Sequence, residues 1–192
     1  MQRLHMIRDW WKASLGDERG VAAVEFALVL PLMLALYLGS VEVSRLYTAD
    51  QKVAILASSM ADLVARERGT IKLSTLDDYF AAATTVMQPL NTTGLGQVIS
   101  LLAIDEDGQA TVVWSEPDGA GVAREVDSPF PLDPETSINQ LARDADGFLI
   151  AAEVDYPYRP IVNYIIPDTI NLRHVEFFLP RFQDEIVLDR NS

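Results

Sequence analysis

The 192-residue chain contains no cysteine. A disulfide framework, a zinc–thiolate centre, a cysteine nucleophile and a lipidated cysteine are therefore all excluded, and the compartment is left open. Histidine is almost as scarce, limited to His5 and His174. Basic residues are also few: 15 Lys and Arg stand against 28 Asp and Glu, giving a formal net charge of -13. A body this acidic disfavours binding to DNA, RNA or anionic lipid, because Coulomb repulsion replaces the usual counterion-release gain. Nor is there a P-loop, a G-x-G-x-x-G or a G-x-S-x-G sequence, so the common phosphate-cradling and serine-nucleophile frameworks are missing.

What the chain does have is one long apolar run. Val21 to Gly39 reads VAAVEFALVLPLMLALYLG and carries a single charge, Glu25. As a helix these residues would rise about 28 Å, close to the ~30 Å hydrocarbon thickness of a bilayer. A core helix of that length without a polar face is out of proportion to a chain this small, so the run predicts a membrane span. An ordinary cleaved signal peptide fits less well, since its apolar core is shorter and is followed by a small-x-small site. The run's end, LALYLGSVEVS, offers no such site.

Charge distribution sets the orientation. Residues 1–20 are net +1, with Arg3, Arg8, Lys12 and Arg19 against Asp9, Asp17 and Glu18; the span contributes -1, which leaves residues 40–192 carrying -13. Short basic flanks stay in the cytoplasm, whereas large domains cross with little regard to charge. The expected organisation is a cytoplasmic leader over 1–20, a transmembrane helix over 21–39 and an extracytoplasmic domain over 40–192. His5 and His174 then fall on opposite sides of the membrane. Neither a His-based metal site nor a Ser-His-Asp triad can be assembled from them. No carboxylate pair is singled out, so no catalytic residue, metal or cofactor is expected.

Glu25 calls for a reason. A carboxylate in a membrane helix costs roughly 2.5–3.5 kcal/mol at the centre and less near an interface. It lies five residues after Gly20. Cleavage after Gly20 would give Val21 a new α-amino group at the mouth of the membrane. A neighbouring subunit's Glu25 could neutralise that amine and set the stagger between packed helices. Glycine at the cut would let the backbone extend into a protease site without obstruction.

A short leader ending in Gly, then an apolar helix with Glu at its fifth position, resembles type IV prepilins. The stretch RGVAAVEFALVLPLMLAL is similar to one branch more closely, the TadE-like pseudopilins, through Arg19-Gly20, Ala23-Val24-Glu25-Phe26-Ala27 and Pro31. The segment VDYPYRPIVNY resembles the C-terminal half of such proteins more loosely. The resemblance implies a non-enzymatic structural or assembly component of a Flp-type (Tad) pilus in the inner membrane. Implied partners are a prepilin peptidase, other pilin or pseudopilin subunits, Tad inner-membrane assembly proteins and membrane lipid. TadF-like and shortened TadG-like proteins share the same N-terminal logic. The competing organisation is an uncleaved single-pass accessory or sensor protein with an extracytoplasmic partner-binding domain.

Beyond the span the expected fold class is α+β, a long helix packed on a small, mainly antiparallel sheet with one or two short helices. No glycine or proline interrupts Ser40–Arg68. Leu46, Val53 and Met60, with Ala49, Leu56 and Leu63 offset by three, form a stripe for the chain's own sheet or for a neighbouring subunit. Gly69 is the expected helix stop. A second helix is predicted over Leu76–Gln88, capped by Ser74 or Thr75, with Asp77 and Asp78 in its first turn. A hairpin is predicted from Val98–Ile104 and Ala110–Trp114 around Asp107-Gly108. The acids Asp105, Glu106 and Asp107 fit turn chemistry, since the remaining calcium-loop positions are wanting. An exposed loop is predicted over 115–135, a short helix over Ser137–Ala145, a strand over Gly147–Tyr156 and a last strand over Leu172–Leu179. Tyr156, Tyr158 and Tyr164 suit local packing or a partner surface.

Overall fold

The computed structural model describes residues 18–105, 107–132, 147–161, 168–182 and 185–190. Its contacts divide the chain into two units, Met1–Ser44 and Arg45–Ser192. The architecture is α+β, as expected. Helix α1 runs unbroken over Glu18–Ala65. Strand β1 (Thr70–Lys72), helix α2 (Leu73–Thr84), a 3₁₀ turn (Thr85–Met87) and strands β2 (Gly96–Ile104), β3 (Ala110–Gly119), β4 (Pro129–Phe130), β5 (Phe148–Tyr158), β6 (Ile170–Phe178) and β7 (Val187–Asp189) follow. The principal sheet is antiparallel, in the order β4-β3-β2-β5-β6; β1 and β7 form a separate parallel pair.

In the second unit the stripe on α1 packs on the protein's own sheet. Ala49, Val53, Leu56, Ala57, Met60, Ala61 and Val64 are buried in one cluster with Ile99, Leu101, Trp114, Ile150, Ala152 and Val154. Ala57, Ala61 and Val64 replace Leu63 at the far end of the stripe, because a 3.6-residue helix drifts against a seven-residue repeat. Leu76, Phe80, Ala83 and Met87 close the same core. Polar groups off the stripe tie the helix to its surroundings. Lys52 Nζ donates to the Val86 and Gln88 carbonyls at 2.7 and 2.8 Å, and Asp50 meets His174 at 2.7 Å.

Several boundaries differ from expectation. Helix α1 stops at Ala65, short of Gly69, because its last turn tightens through Arg66 N–H to Leu63 O and Glu67 N–H to Val64 O. The Ala65 carbonyl is taken by Arg181 N–H at 2.9 Å, a tertiary partner for a helix-end orphan. Gly69, at φ +73°, turns the chain into β1. Helix α2 begins three residues early, so Ser74 and Thr75 lie within its first turn; Lys72 is the N-cap and no side chain caps it. Asp77 and Asp78 consequently fall beyond the first turn.

The hairpin forms, but β3 runs on to Gly119, claiming part of the expected loop. Pairing of Ser115–Gly119 with Gly96–Ser100 outweighs the turn-rich composition of SEPDG. Pro117 is tolerated because β4 covers only Ala110 and Thr111, which leaves that part of β3 at the sheet edge. Gly119 has φ +61°, and a Cβ there would meet the Leu95 carbonyl oxygen at 2.4 Å. Gly119→Ala should cost roughly 1–2 kcal/mol in thermal unfolding, from backbone strain and displacement of that close approach. Strand β6 is not the last, since β7 pairs with β1 and draws the chain end back. Trp114 Nε1–H fixes this return by donating to the Ile186 carbonyl at 2.6 Å. The helix expected over Ser137–Ala145 lies outside the described residues.

Candidate functional site

In the first unit the expected site residues lie along one stretch of α1. Gly20 and Val21 stand at its beginning, Glu25 one turn later, and Phe26 and Pro31 further on. Val21 and Glu25 are four residues apart, so their side chains share a face about 6 Å apart along the axis. Val21, Phe26 and Leu28 are 65–74% exposed. The helix contains a window of mean hydropathy 2.3 with none of it buried, long and apolar enough to cross a membrane. Pro31 donates no N–H, so the Ala27 carbonyl lacks its usual helical partner.

Gly20 is informative in a different way. Among the described residues nothing lies within 4 Å of the position a Cβ would occupy. Packing among those residues therefore gives no reason for glycine there, and neither does helix propensity, which disfavours it.

A family model described as TadE-like protein matches residues 20–66. Residues 20–66 are TadE-like. The matched stretch starts at Gly20, includes Glu25, Phe26 and Pro31, and ends one residue beyond α1. No curated protein and no solved structure matches the chain.

The second unit holds a charged centre that the sequence expectations missed. Strand β5 sets Glu153 between Val98 of β2 and Val175 of β6, and the residue is only 3% exposed. Arg124 grips it from both sides, Nε–H to Oε2 at 2.9 Å and Nη2–H to Oε1 at 2.6 Å. Arg173 donates to Oε1 at 2.6 Å. Arg124 N–H also donates to Ser115 Oγ, which is paired with Ser100 Oγ at 2.9 Å, and its guanidinium lies 4.9 Å from the Phe130 ring centre. The arrangement pins the 120–128 connection onto the sheet face. Burial pushes the Glu153 carboxyl upward, but the Arg124 and Arg173 pairings outweigh it and hold the group below its ordinary value. A usable signal was present: one carboxylate inside FLIAAEV, at a position where its neighbours are core, demands a buried cation.

The acidic turn is held by its own groups. Asp105 Oδ1 accepts from Asp107 N–H at 3.0 Å and Gln109 N–H at 2.7 Å, and Gly108 has φ +77°. Among the described residues no cluster of His, Asp or Glu could hold a metal ion. Tyr156 and Tyr158 are 6% and 3% exposed, so they pack in the core and do not form an outward partner surface; Tyr164, His5 and Glu106 lie outside the described residues.

Proposed function

We propose that the protein is a pseudopilin-like structural and assembly component of a Flp-type (Tad) pilus, anchored by one membrane-spanning helix and processed after Gly20. The observation that carries this is the exposed apolar start of α1, whose TadE-like match opens at a glycine that packs against none of the described residues. A peptidase that must draw the chain into an extended cleft supplies the missing reason for that glycine. Only the first helical turn would have to unwind, and helix ends fray at low cost.

Processing would leave a positive α-amino group on Val21 at the positive end of the helix macrodipole, an unfavourable pairing inside a membrane. A carboxylate one turn away, or the same carboxylate on a neighbouring copy, offsets it. Glu25 is that carboxylate. In this scheme the leader is cytoplasmic, the head is periplasmic, and the span packs among other pilin or pseudopilin helices and Tad inner-membrane proteins in the lipid. The head serves as a scaffold in this scheme.

The test is the N-terminus of the mature protein, read by mass spectrometry of membranes from cells with and without the prepilin peptidase. A chain beginning at Val21 only when the peptidase is present is the expected result. A chain beginning at Met1 in both would reject processing and assign an uncleaved anchor with an accessory role.

A further inference from the structure

Five residues separate Gly39, the end of the apolar run, from Arg45, the first residue of the second unit and the first basic residue after Arg19. The six residue steps span about 9 Å as helix and no more than about 20 Å fully extended. If the run crosses the bilayer, Arg45 is tethered at the depth of the lipid headgroups, which extend some 5–8 Å beyond each side of the hydrocarbon. This inference rests on that anchoring.

Within the second unit Arg45 lines a pocket of about 260 Å³ together with Arg159, Asn91 and Thr93. In a chain of net charge -13 the lining contains two arginines and no acid. Both arginines are exposed, and neither has an ion-pair partner among the described residues, whereas Arg66, Arg124, Arg173, Arg181 and Arg190 all do. Asn91 Oδ1 accepts from Thr93 N–H at 2.8 Å, which leaves the amide Nδ2 as a donor. Tyr156 O–H donates to the Asn91 carbonyl at 3.0 Å and ties this wall to β5. Burial raises the Tyr156 phenol, and the nearby charge of Arg159 opposes the rise. Two guanidinium groups and an amide, with no carboxylate among the described lining residues, make a pocket for an oxyanion.

We propose that this pocket binds the phosphate of an anionic phospholipid headgroup, with Arg45 and Arg159 as the paired cations. A tethered pocket meets lipid phosphate at the high local concentration of the membrane surface, an advantage that free phosphate lacks. The acidic body disfavours broad adsorption to an anionic surface, but its repulsion is screened beyond about 8 Å at physiological salt, so a local pair of cations can act on its own.

The full-length protein in a neutral detergent is titrated with phosphatidylglycerol, with phosphatidylcholine or with inorganic phosphate. Thermal unfolding is followed through tryptophan fluorescence, with Trp114 as the buried reporter. Phosphatidylglycerol should raise Tm by roughly 5 °C near saturation, phosphatidylcholine far less, and each of Arg45→Gln and Arg159→Gln should weaken the response about fivefold. The Arg45→Lys/Arg159→Lys protein should recover part of it. An equal response in the double glutamine variant, or equal responses to the two lipids, would overturn the proposal. Stabilisation by inorganic phosphate without stabilisation by phosphatidylglycerol would overturn the lipid source. Native mass spectrometry of the unmutated protein gives an independent count of retained phosphatidylglycerol, so a variant that fails to fold does not remove the test. Resistance to an alkaline carbonate wash reports the anchor separately: retention without a phosphatidylglycerol effect rejects the pocket alone, and release rejects the anchoring beneath it.

Discussion

Glu25→Ala should abolish or severely reduce pilus assembly while leaving the protein in the membrane at normal abundance. Removing a charge makes insertion easier, since a carboxylate near the interface costs up to about 2.5–3.5 kcal/mol as the helix enters the bilayer. The loss should appear only when helices pack. A processed Val21 would then present an uncompensated amine at the positive end of α1, and a deficit of ~2.5 kcal/mol corresponds to nearly two orders of magnitude in a packing equilibrium. Surface pili counted by electron microscopy, alongside immunoblots of washed membranes, separate the two steps. Glu25→Gln makes the comparison sharper, because it keeps size and hydrogen bonding but not charge. Normal pili in that variant would refute the charge role. A variant missing from membranes would instead make Glu25 a residue of insertion or stability.

The second large effect belongs to the head. Glu153→Gln should destabilise it by roughly 3 kcal/mol, the low end for breaking a buried ion pair because the arginines reach water. In a protein of this size that lowers Tm by about 6–12 °C. The residue is 3% exposed and satisfies two guanidinium groups, so its replacement strands Arg124 and leaves Arg173 only the exposed Asp155 at 3.9 Å. Arg173→Gln should cost under about 1 kcal/mol, because that side chain is half exposed and Arg124 remains paired with Glu153. The pH dependence follows from the depressed carboxyl. Its contribution is fully present above the unfolded value, near 4.5, and is lost as pH falls through the lower folded value. The unmutated protein should thus lose stability in acid below about pH 4.5, and the difference from Glu153→Gln should shrink over the same range. Parallel acid curves for the two proteins would show that Glu153 titrates alike in folded and unfolded chains.

Local pattern and tertiary contact divided the information unevenly. The apolar run from Val21 to Gly39, the Gly20–Glu25 spacing and the TadE-like resemblance were all legible, since each depends on residues close together in the chain. So were the stripe of α1, the β2–β3 hairpin with its Asp105 turn, and the strand through Ile150, Ala152 and Val154. Side-chain periodicity of 3.6 or 2 and turn geometry are local properties. Element ends were less legible. Helix α1 stops where Arg181 reaches the Ala65 carbonyl, and β3 continues through Pro117 because β2 lies beside it. Neither partner can be read from the flanking residues.

What the sequence by itself determined is the long apolar run, the α+β class and the side of α1 that faces the core. Only the tertiary structure decided the partners of the charges. It joined Glu153 to Arg124 and Arg173 across 29 and 20 residues, returned β7 to β1, and brought Arg45 and Arg159 to one pocket. The physical reason is that hydrophobic periodicity identifies which face is buried, whereas a charge finds its partner through the crossing of strands and loops that lie far apart in the chain.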